Sequence, residues 1–199
     1  MALWPELFSI EGDFVRVEPL MKAHEADLSV AAADGELHRL WYTAIPKPQD
    51  VGSEIERRLS LRESGSMLPL TIFDRQNNTA VGMTTYMNID AANRRLEIGS
   101  TWYRQSVQRS PLNTECKLLL LRHAFAKLDC IAVEFRTHFM NLQSRRAIER
   151  LGAKLDGVLR SHMLMANGTL RDTAVYSITA QEWPTVEAHL SWQLEKPRG

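Results

Sequence analysis

Residues 108–128 read QRSPLNTECKLLLLRHAFAKL, and in this stretch a polar loop runs into a helix that must be largely buried. The four successive leucines at 118–121 and the apolar residues after them leave little polar face, so we expect a sheet to cover the helix. Ser110 is a suitable N-cap, and Pro111 suits the first helical position because its missing N–H would have no intrahelical partner anyway. The pattern therefore predicts a buried helix over residues 111–128.

The start of this helix is a candidate anion site. The first N–H groups of a helix have no partner inside it, and the positive end of the helix dipole adds to their attraction for anions. The donors that we expect to be free are those of Leu112 and Asn113, together with those of Gln108, Arg109 and Ser110 in the loop. Every buried helix has such an end, however, and a cap with water satisfies most of them. The loop alone therefore leaves phosphate binding and simple capping both open.

The composition is that of one globular domain spanning residues 1–199. Of the 199 residues, 44% are hydrophobic, and we expect a core over about residues 12–180 with a closing helix and tail over 181–199. The 24 basic and 24 acidic side chains give a formal net charge of +0, which disfavours nucleic acid and anionic membranes as partners. No apolar run approaches the roughly 20 residues that span a bilayer, so we expect a cytoplasmic protein.

Cysteine and histidine indicate neither a disulfide nor a metal site. Cys116 lies on the apolar side of the predicted helix and Cys130 just before an apolar stretch, so both are expected to be buried thiols. The sequence has no His-x-x-x-His or Cys-x-x-Cys spacing among its six histidines and two cysteines. We therefore expect no metal ion.

The hydrophobic periodicity predicts one mixed α/β domain without internal repeats. The predicted elements are a strand in 13–20, helical segments in 21–42 and 50–64, strands in 67–75, 80–90 and 94–103, the helix 111–128, a strand in 130–139, a short helix in 141–152, a hairpin in 153–179 and a closing helix in 182–194. Asn167-Gly168 is the strongest turn signal in the chain.

The order of elements around the opening stretch resembles the Gcn5-related N-acetyltransferase (GNAT) superfamily, and more narrowly its branch of ribosomal-protein N-terminal acetyltransferases. The resemblance extends from about residue 13 to 179 and is most specific in NTECKLLLLRHAF and RTHFMNLQSRRAIERLGA. The second segment carries the family pattern Asn-x-x-Ser-x-x-Ala followed by Leu-Gly, which falls on Asn141, Ser144, Ala147, Leu151 and Gly152. The resemblance implies one mixed sheet with a splayed central strand pair and a C-terminal hairpin.

The resemblance also implies that acetyl-CoA is bound and that its acetyl group is transferred to an amine. The pantetheine arm would bond to the backbone of the splayed strand, at Gly99, Ser100, Thr101 and Trp102. The pyrophosphate would lie on the loop and helix start, at Gln108, Arg109, Ser110, Leu112 and Asn113. Asn141 would bond to the pantetheine amides, and it could cap its helix at the same time. Arg145 could reach the 3′-phosphate, although a solvated helix face is the safer explanation. Pro111 and Asn113 depart from the small residues that the family has in this loop.

Direct acetyl transfer needs a neutral amine, a donor for the oxyanion and a proton for the departing thiolate. Glu97 is the candidate general base; alternatively it faces solvent or pairs with Arg94 or Arg95. Many relatives have a tyrosine acid where this chain has Ile148, so Ser144 is the candidate acid; alternatively it only caps its helix. A backbone N–H of the splayed strand would bind the oxyanion, with Ser100 as the candidate residue.

Some other residues are placed near the site with less support. Glu115, in the first helical turn, is expected to be structural because it would repel a pyrophosphate. His138 and Tyr176 could line the cleft, although aromatic residues in strands are usually part of the core. Trp41 and Tyr42 fall in the segment that forms one wall of the acceptor site in the family.

The sequence therefore predicts an acetyl-CoA-dependent N-acetyltransferase that works through a ternary complex. The acceptor would be a protein N-terminal amine, an amino acid or another small amine. Because Pro111 and Ile148 depart from the family pattern, the alternative is a domain of the same fold that binds CoA or a partner protein without catalysis. Trp183 and Trp192 lie on the closing helix, and members of the family often form dimers, so we expect a homodimer.

Overall fold

The computed structural model describes residues 4–196; residues 1–3 and 197–199, which include the end of the predicted tail, lie outside the described part. The helices are α1 (Glu25–Ala33), α2 (Val51–Glu63), α3 (Pro111–Arg122), α4 (Leu142–Arg150) and α5 (Trp183–Glu195). The strands are β1 (Ile10–Glu11), β2 (Val15–Pro19), β3 (Met67–Asp74), β4 (Thr79–Asp90), β5 (Arg95–Tyr103), β6 (Ala132–His138), β7 (Lys154–Leu164) and β8 (Leu170–Thr179). They confirm the predicted α/β fold class.

The eight strands form one mixed sheet in the order β1-β2-β3-β4-β5-β6-β8-β7. Strands β5 and β6 are parallel, and the other neighbouring pairs are antiparallel. Strand β1 was not predicted, because two residues are too short to show an alternating pattern. None of the helices within residues 4–196 has the length and apolar character needed to cross a bilayer.

Helix α3 confirms the prediction made from the opening stretch. Ser110 caps it by accepting a hydrogen bond from the Leu112 N–H (3.3 Å), and Pro111 occupies the first turn. The α-helical part ends at Arg122 and continues as a π-helical turn over His123–Lys127, so the predicted length is right although the last turn is wider than an α-turn. Most of its side chains are buried.

Two apolar layers cover the two faces of the sheet. One face packs with α3 and α5 around Leu120, Leu121 and Leu190, all fully buried. The opposite face packs with α1 and α2 around Leu28 and Ile55. Burial of the leucine run of α3 confirms that a sheet covers this helix.

The predictions for cysteine and tryptophan had different outcomes. Cys116 and Cys130 are free, buried thiols, as expected. Trp183 is 8% exposed and stacks on Phe125 with ring centroids 5.1 Å apart, so it belongs to the core rather than to a free surface. Trp192 is 56% exposed.

The central strands β5 and β6 separate after a short paired segment. They pair at Arg95–Ala132, Leu96–Val133 and Glu97–Glu134, while β5 continues to Tyr103 and β6 to His138. Each strand keeps its outer neighbour: β5 remains paired with β4, and β6 with β8. The splayed central pair predicted from the family resemblance is therefore confirmed, and the space between its inner edges is called the gap below.

Glu115 ties α3 to the start of β2. Its carboxylate accepts hydrogen bonds from the backbone N–H groups of Asp13 (2.8 Å), Phe14 (2.7 Å) and Val15 (2.8 Å), and the side chain is 5% exposed. Hydrogen bonds from backbone amides to a carboxylate are charge-assisted and are among the stronger polar contacts in proteins. The structural role expected for Glu115 is confirmed.

We predict that Glu115→Gln lowers the free energy of unfolding by about 2–4 kcal/mol, because an amide presents only one acceptor oxygen to three donors. Urea unfolding followed by circular dichroism measures the change. Glu187→Gln is the control, since Glu187 makes an exposed ion pair with Arg122 and its loss should cost about 0–1 kcal/mol. Equal losses in the two variants would contradict the structural role of Glu115.

Candidate active site

The gap is bounded by chain segments that are far apart in sequence. Its β5 side contains Gly99–Tyr103, its β6 side ends at His138, and the α3 loop and the start of α4 lie at its wide end. Gln108 connects these segments: its Nε2 donates to the Tyr103 carbonyl (3.1 Å), and the Gln143 amide of α4 approaches its Oε1 (3.5 Å). The structure therefore brings the predicted loop, strand and α4 residues to one place.

Two of the five expected free donors are already used within the loop. The Gln108 N–H donates to the Gln105 carbonyl (3.0 Å), and the Leu112 N–H donates to the Ser110 hydroxyl (3.3 Å). The prediction that these two amides are free is wrong, because the loop makes a short 3₁₀ turn and a cap. The N–H groups of Arg109, Ser110 and Asn113 donate no hydrogen bond within the described part of the chain.

The loop fits a phosphate despite its departures from the family pattern. Three free amides stand at the positive end of α3, and Arg109 adds a guanidinium. Arg109 has φ +63°, a left-handed conformation that is uncommon for a residue other than glycine. Asn113 has a buried Oδ1 without a hydrogen-bond partner in residues 4–196. Pro111 has no N–H to donate, but the N–H groups of Arg109, Ser110 and Asn113 remain as three donors.

Buried polar atoms without partners concentrate around the gap. Those in residues 4–196 are His38 Nδ1, Trp102 Nε1, Tyr103 Oη, Asn113 Oδ1 and His138 Nε2. Three of these five side chains, Trp102, Asn113 and His138, belong to segments that bound the gap, whereas Tyr103 lies in the α3 core layer with its Oη beside the weakly accepting Cys116 thiol. Because buried polar groups are nearly always hydrogen-bonded in folded proteins, this concentration marks a place where a polar ligand fits.

Glu97 is buried at the point where β5 and β6 begin to separate. It is 4% exposed, accepts a hydrogen bond from Asn88 Nδ2 (2.6 Å) and lies 3.6 Å from Arg136 Nε. Burial raises the pKa of the Glu97 carboxyl above its ordinary value, against the opposing effects of the Asn88 hydrogen bond and the Arg136 charge. Neither structural alternative holds: Glu97 does not face solvent, and Arg94 and Arg95 pair with Asp129 and Glu134 instead.

Asn141 and Ser144 occupy the first turn of α4. Asn141 is the N-cap, with its Oδ1 accepting the Ser144 N–H (3.0 Å), so its predicted structural role is confirmed. Its Nδ2 makes no hydrogen bond within residues 4–196, which leaves a donor at the head of the helix. Ser144 is therefore not the cap, and its catalytic role stays a prediction.

Arg145 is half-buried and contacts neighbouring side chains. Its Nε donates to Tyr176 Oη (2.9 Å), and its guanidinium lies 4.4 Å from the centre of the Phe139 ring. Tyr176 is fully buried on the face that carries α3 and does not line the gap. Contact of Arg145 with a 3′-phosphate stays a prediction.

The segment between α1 and α2 reaches both sides of the gap. Asp34 pairs with Arg104 after β5 (2.7 Å), and Trp41 lies against His138 at the end of β6 with ring centroids 5.1 Å apart. His138 Nδ1 accepts the Met140 N–H (3.0 Å), so the hydrogen of the neutral ring is on the unpartnered Nε2. Burial lowers the pKa of His138, which favours this neutral ring.

Two residues at the site were missed by the sequence reasoning. Asn88 supports Glu97 from the neighbouring strand, and nothing in its local sequence indicates that contact. Lys117 is a buried cation below β5, and the signal was available: a lysine interrupts an otherwise apolar helical run. The described residues contain no group of three or more His, Cys, Asp or Glu side chains placed to hold a metal ion.

The comparisons with a family model and with solved structures indicate the same family. Residues 15–154 match the acetyltransferase (GNAT) domain. A solved structure of a GCN5-related N-acetyltransferase from Brucella melitensis is 32% identical, with a TM-score of 0.85 over 94% of this chain and 86% of that one. RimJ of Mycobacterium smegmatis in complex with CoA-disulfide is 21% identical with a TM-score of 0.78 over 97% of each chain, which shows the shared fold.

A curated relative adds a narrower likeness. YdaF of Bacillus subtilis (strain 168), provisionally named a ribosomal N-acetyltransferase, is 31% identical over 102 residues. The match covers 51% of this chain and 55% of YdaF, so it spans about half the length of that relative.

We predict that Asn88→Gly raises the pKa of Glu97 further, because the lost hydrogen bond stabilises the charged carboxylate. Glycine is chosen because Asn88 has φ +46° and glycine adopts this conformation without strain. Carbon-13 NMR titration of labelled glutamate measures the shift. Asn78→Gly is the matched control, since Asn78 has φ +52° in the β3–β4 turn and makes its hydrogen bond with Arg16. An unchanged Glu97 titration in Asn88→Gly would contradict the role of Asn88.

Proposed function

The chain belongs to the Gcn5-related N-acetyltransferase (GNAT) family, and from this premise we propose that it transfers the acetyl group of acetyl-CoA directly to the N-terminal amine of a protein or peptide. The observation that carries the proposal is the buried carboxylate of Glu97 at the narrow end of the gap, with free helix-start amides at the wide end. The ribosomal name of YdaF and the RimJ-like fold support a peptide acceptor over a free amino acid.

Acetyl-CoA would be held along the gap by backbone groups. The free N–H groups of Arg109, Ser110 and Asn113 would bind its pyrophosphate, with the α3 dipole adding to the attraction. The unpaired inner edge of β5, from Gly99 to Trp102, would bond to the amides of the arm. Asn141 Nδ2 would donate to the same arm from the opposite side. When bound, the coenzyme supplies an activated acetyl thioester.

Glu97 would act as general base toward the acceptor ammonium. Its raised pKa makes the carboxylate a stronger base than an exposed glutamate, and Asn88 and Arg136 hold it in one orientation. Proton removal, directly or through one water molecule, leaves the neutral amine that attacks the thioester.

Backbone and hydroxyl groups would complete the reaction. Ser100 has φ +47°, which interrupts the regular strand and makes its N–H the candidate donor to the oxyanion. Ser144 is the candidate donor of a proton to the departing thiolate, because it lies in the first turn of α4 beside Asn141.

Direct transfer is favoured over an acyl-enzyme because neither cysteine is a suitable nucleophile. Cys116 is 0% and Cys130 2% exposed. Burial raises the pKa of both thiols, that of Cys130 to about 12, so the nucleophilic thiolate is scarce at neutral pH. A ternary complex of protein, acetyl-CoA and acceptor is therefore proposed.

The cellular context is proposed on less direct support. The ribosomal name of YdaF favours a cytoplasmic location. A homodimer is proposed from the exposed Trp192 of α5, since Trp183 is used in the core. Sedimentation of the purified protein at several concentrations tests the second point.

We predict that Glu97→Gln lowers kcat/KM for acetyl transfer by about 10²–10⁴, the usual contribution of a general base. Thiol release from acetyl-CoA is followed with a panel of peptides that differ in their first residue, beside amino acids and simple amines. Glu187→Gln is the control: Glu187 lies on α5, pairs with Arg122 away from the gap, and its replacement should change kcat/KM by less than about threefold. Calorimetry should show that both variants still bind CoA. Binding of CoA by the wild type with no turnover on any acceptor would instead favour the non-catalytic domain.

The pH profile gives a separate prediction. A base works only when deprotonated, so kcat/KM of the wild type should fall as the pH drops through the pKa of Glu97, which lies above the ordinary value for glutamate. Glu97→Gln should lack this acidic limb. An identical limb in both proteins would assign it to another group.

A further inference from the structure

Lys117 is a buried cation in the second turn of α3. It is 6% exposed and lies between the fully buried Cys116 and the leucine run that begins at Leu118. A lysine at such a position has to extend its apolar stem through the core and place its ammonium against polar atoms. It is therefore unlike the solvated lysines of a helix surface.

The ammonium contacts two hydroxyl groups of the sheet. Nζ donates to Thr101 Oγ1 of β5 (2.8 Å) and to Thr84 Oγ1 of β4 (3.2 Å), and the two hydroxyl oxygens are 2.8 Å apart. Within residues 4–196, no carboxylate lies within ion-pair distance of Nζ, and Cys116 is the titratable group that acts on it. Burial lowers the pKa of Lys117 to about 8, because neutral hydroxyls replace only part of the lost hydration.

A second buried cation of this protein, by contrast, has a carboxylate of the protein as its counter-ion. Arg58 of α2 is 2% exposed and donates to Thr85 Oγ1 (2.7 Å) on the opposite face of the sheet. Its Nε also pairs with Glu54 at 2.6 Å. Lys117 has the same kind of hydroxyl contact without the carboxylate. An uncompensated buried charge is costly, and a ligand of opposite charge removes that cost.

The position of Thr101 indicates which ligand this would be. Thr101 lies beyond the last β5–β6 pair and next to Ser100, whose left-handed backbone interrupts the strand. This is the edge along which the proposed function places the neutral coenzyme arm, while the anionic pyrophosphate would lie at the start of α3, about one helical turn from Lys117. The positive charge thus stands directly beneath the strand that would hold the coenzyme arm.

We propose that Lys117 is a positioning residue for acetyl-CoA: its ammonium fixes Thr101 and the interrupted segment of β5, and its positive charge attracts the phosphates of the bound coenzyme from one helical turn away. This proposal rests on the coenzyme site of the proposed function. Lys117 acts through Thr101 and through its charge, and it takes no part in bond making or breaking.

Coenzyme binding should also change the protonation of Lys117. A nearby anion favours the charged form of a lysine, so coenzyme binding should raise the pKa of Lys117 from about 8. At pH 8 part of the free protein carries neutral Lys117, and binding of CoA should convert it to the ammonium by taking up protons. A purely structural lysine would take up none.

Calorimetry of CoA binding at pH 8, in buffers of different ionisation enthalpy, measures this proton uptake. We expect the wild type to take up a fraction of a proton more than Lys117→Met, and the variant to bind CoA about tenfold more weakly. The variant should fold, because replacing a buried uncompensated charge by an apolar chain of similar length is often neutral or stabilising. Equal proton uptake in the two proteins would overturn the proposal.

Two further variants decide the matter if Lys117→Met does not fold. Thr101→Val keeps the charge and removes its contact with β5, whereas Thr84→Val removes the longer contact with β4. CoA binding should weaken clearly more in Thr101→Val, and equal effects would overturn the proposal. Lys117-dependent proton uptake without acetyl transfer would support the positioning role of Lys117 and refute the proposed function. Acetyl transfer without that proton uptake would refute only the positioning role of Lys117. Absence of CoA binding by the wild type would refute both.

Discussion

The pairing of residues 95–97 with 132–134 is the short parallel contact that joins the two halves of the sheet. On one side β5 is held by an antiparallel run through β4, and on the other β6 is held by β8 and β7. Each strand is thus fixed by its outer neighbour while the inner edges diverge. The outer ladders do not use these inner edges, so unpaired main-chain groups are available in the centre of the sheet.

Helix α3 links the stability of the fold to the site at that gap. Its leucine run fills one core layer, and Glu115 in its second turn fixes the start of β2 through three backbone bonds. The first turn leaves free N–H groups beside Asn113, and the second turn also carries Lys117. Because one rigid element holds all of these, the distance between the helix start and the splayed part of β5 is set by core packing rather than by the loop.

Local signals predicted the elements well, and tertiary contacts decided what the sequence could not show. Ser110 with Pro111, and Asn167-Gly168, mark boundaries through their own backbone preferences, and both predictions are confirmed. The burial of Glu97 and its contact with Asn88 depend on β4 and β5 pairing with a shift in register, which no periodicity reveals. Likewise the Gln108 and Leu112 amides are consumed by a short turn and a cap that the pattern of residue types did not resolve. The general location of the site was predictable, while its electrostatics were not.

Two buried charged groups beside the gap break local rules. Glu97 is a buried carboxyl with a raised pKa, and Lys117 is a buried cation without a carboxylate. Each feature is unfavourable in the free protein, and elsewhere the same fold avoids such a cost, as the Arg58–Glu54 pair shows. Natural sequences tend to keep unfavourable local features where a ligand or a reaction requires them. The concentration of these features at one place is therefore an argument, independent of family likeness, that the gap is the functional centre of the molecule.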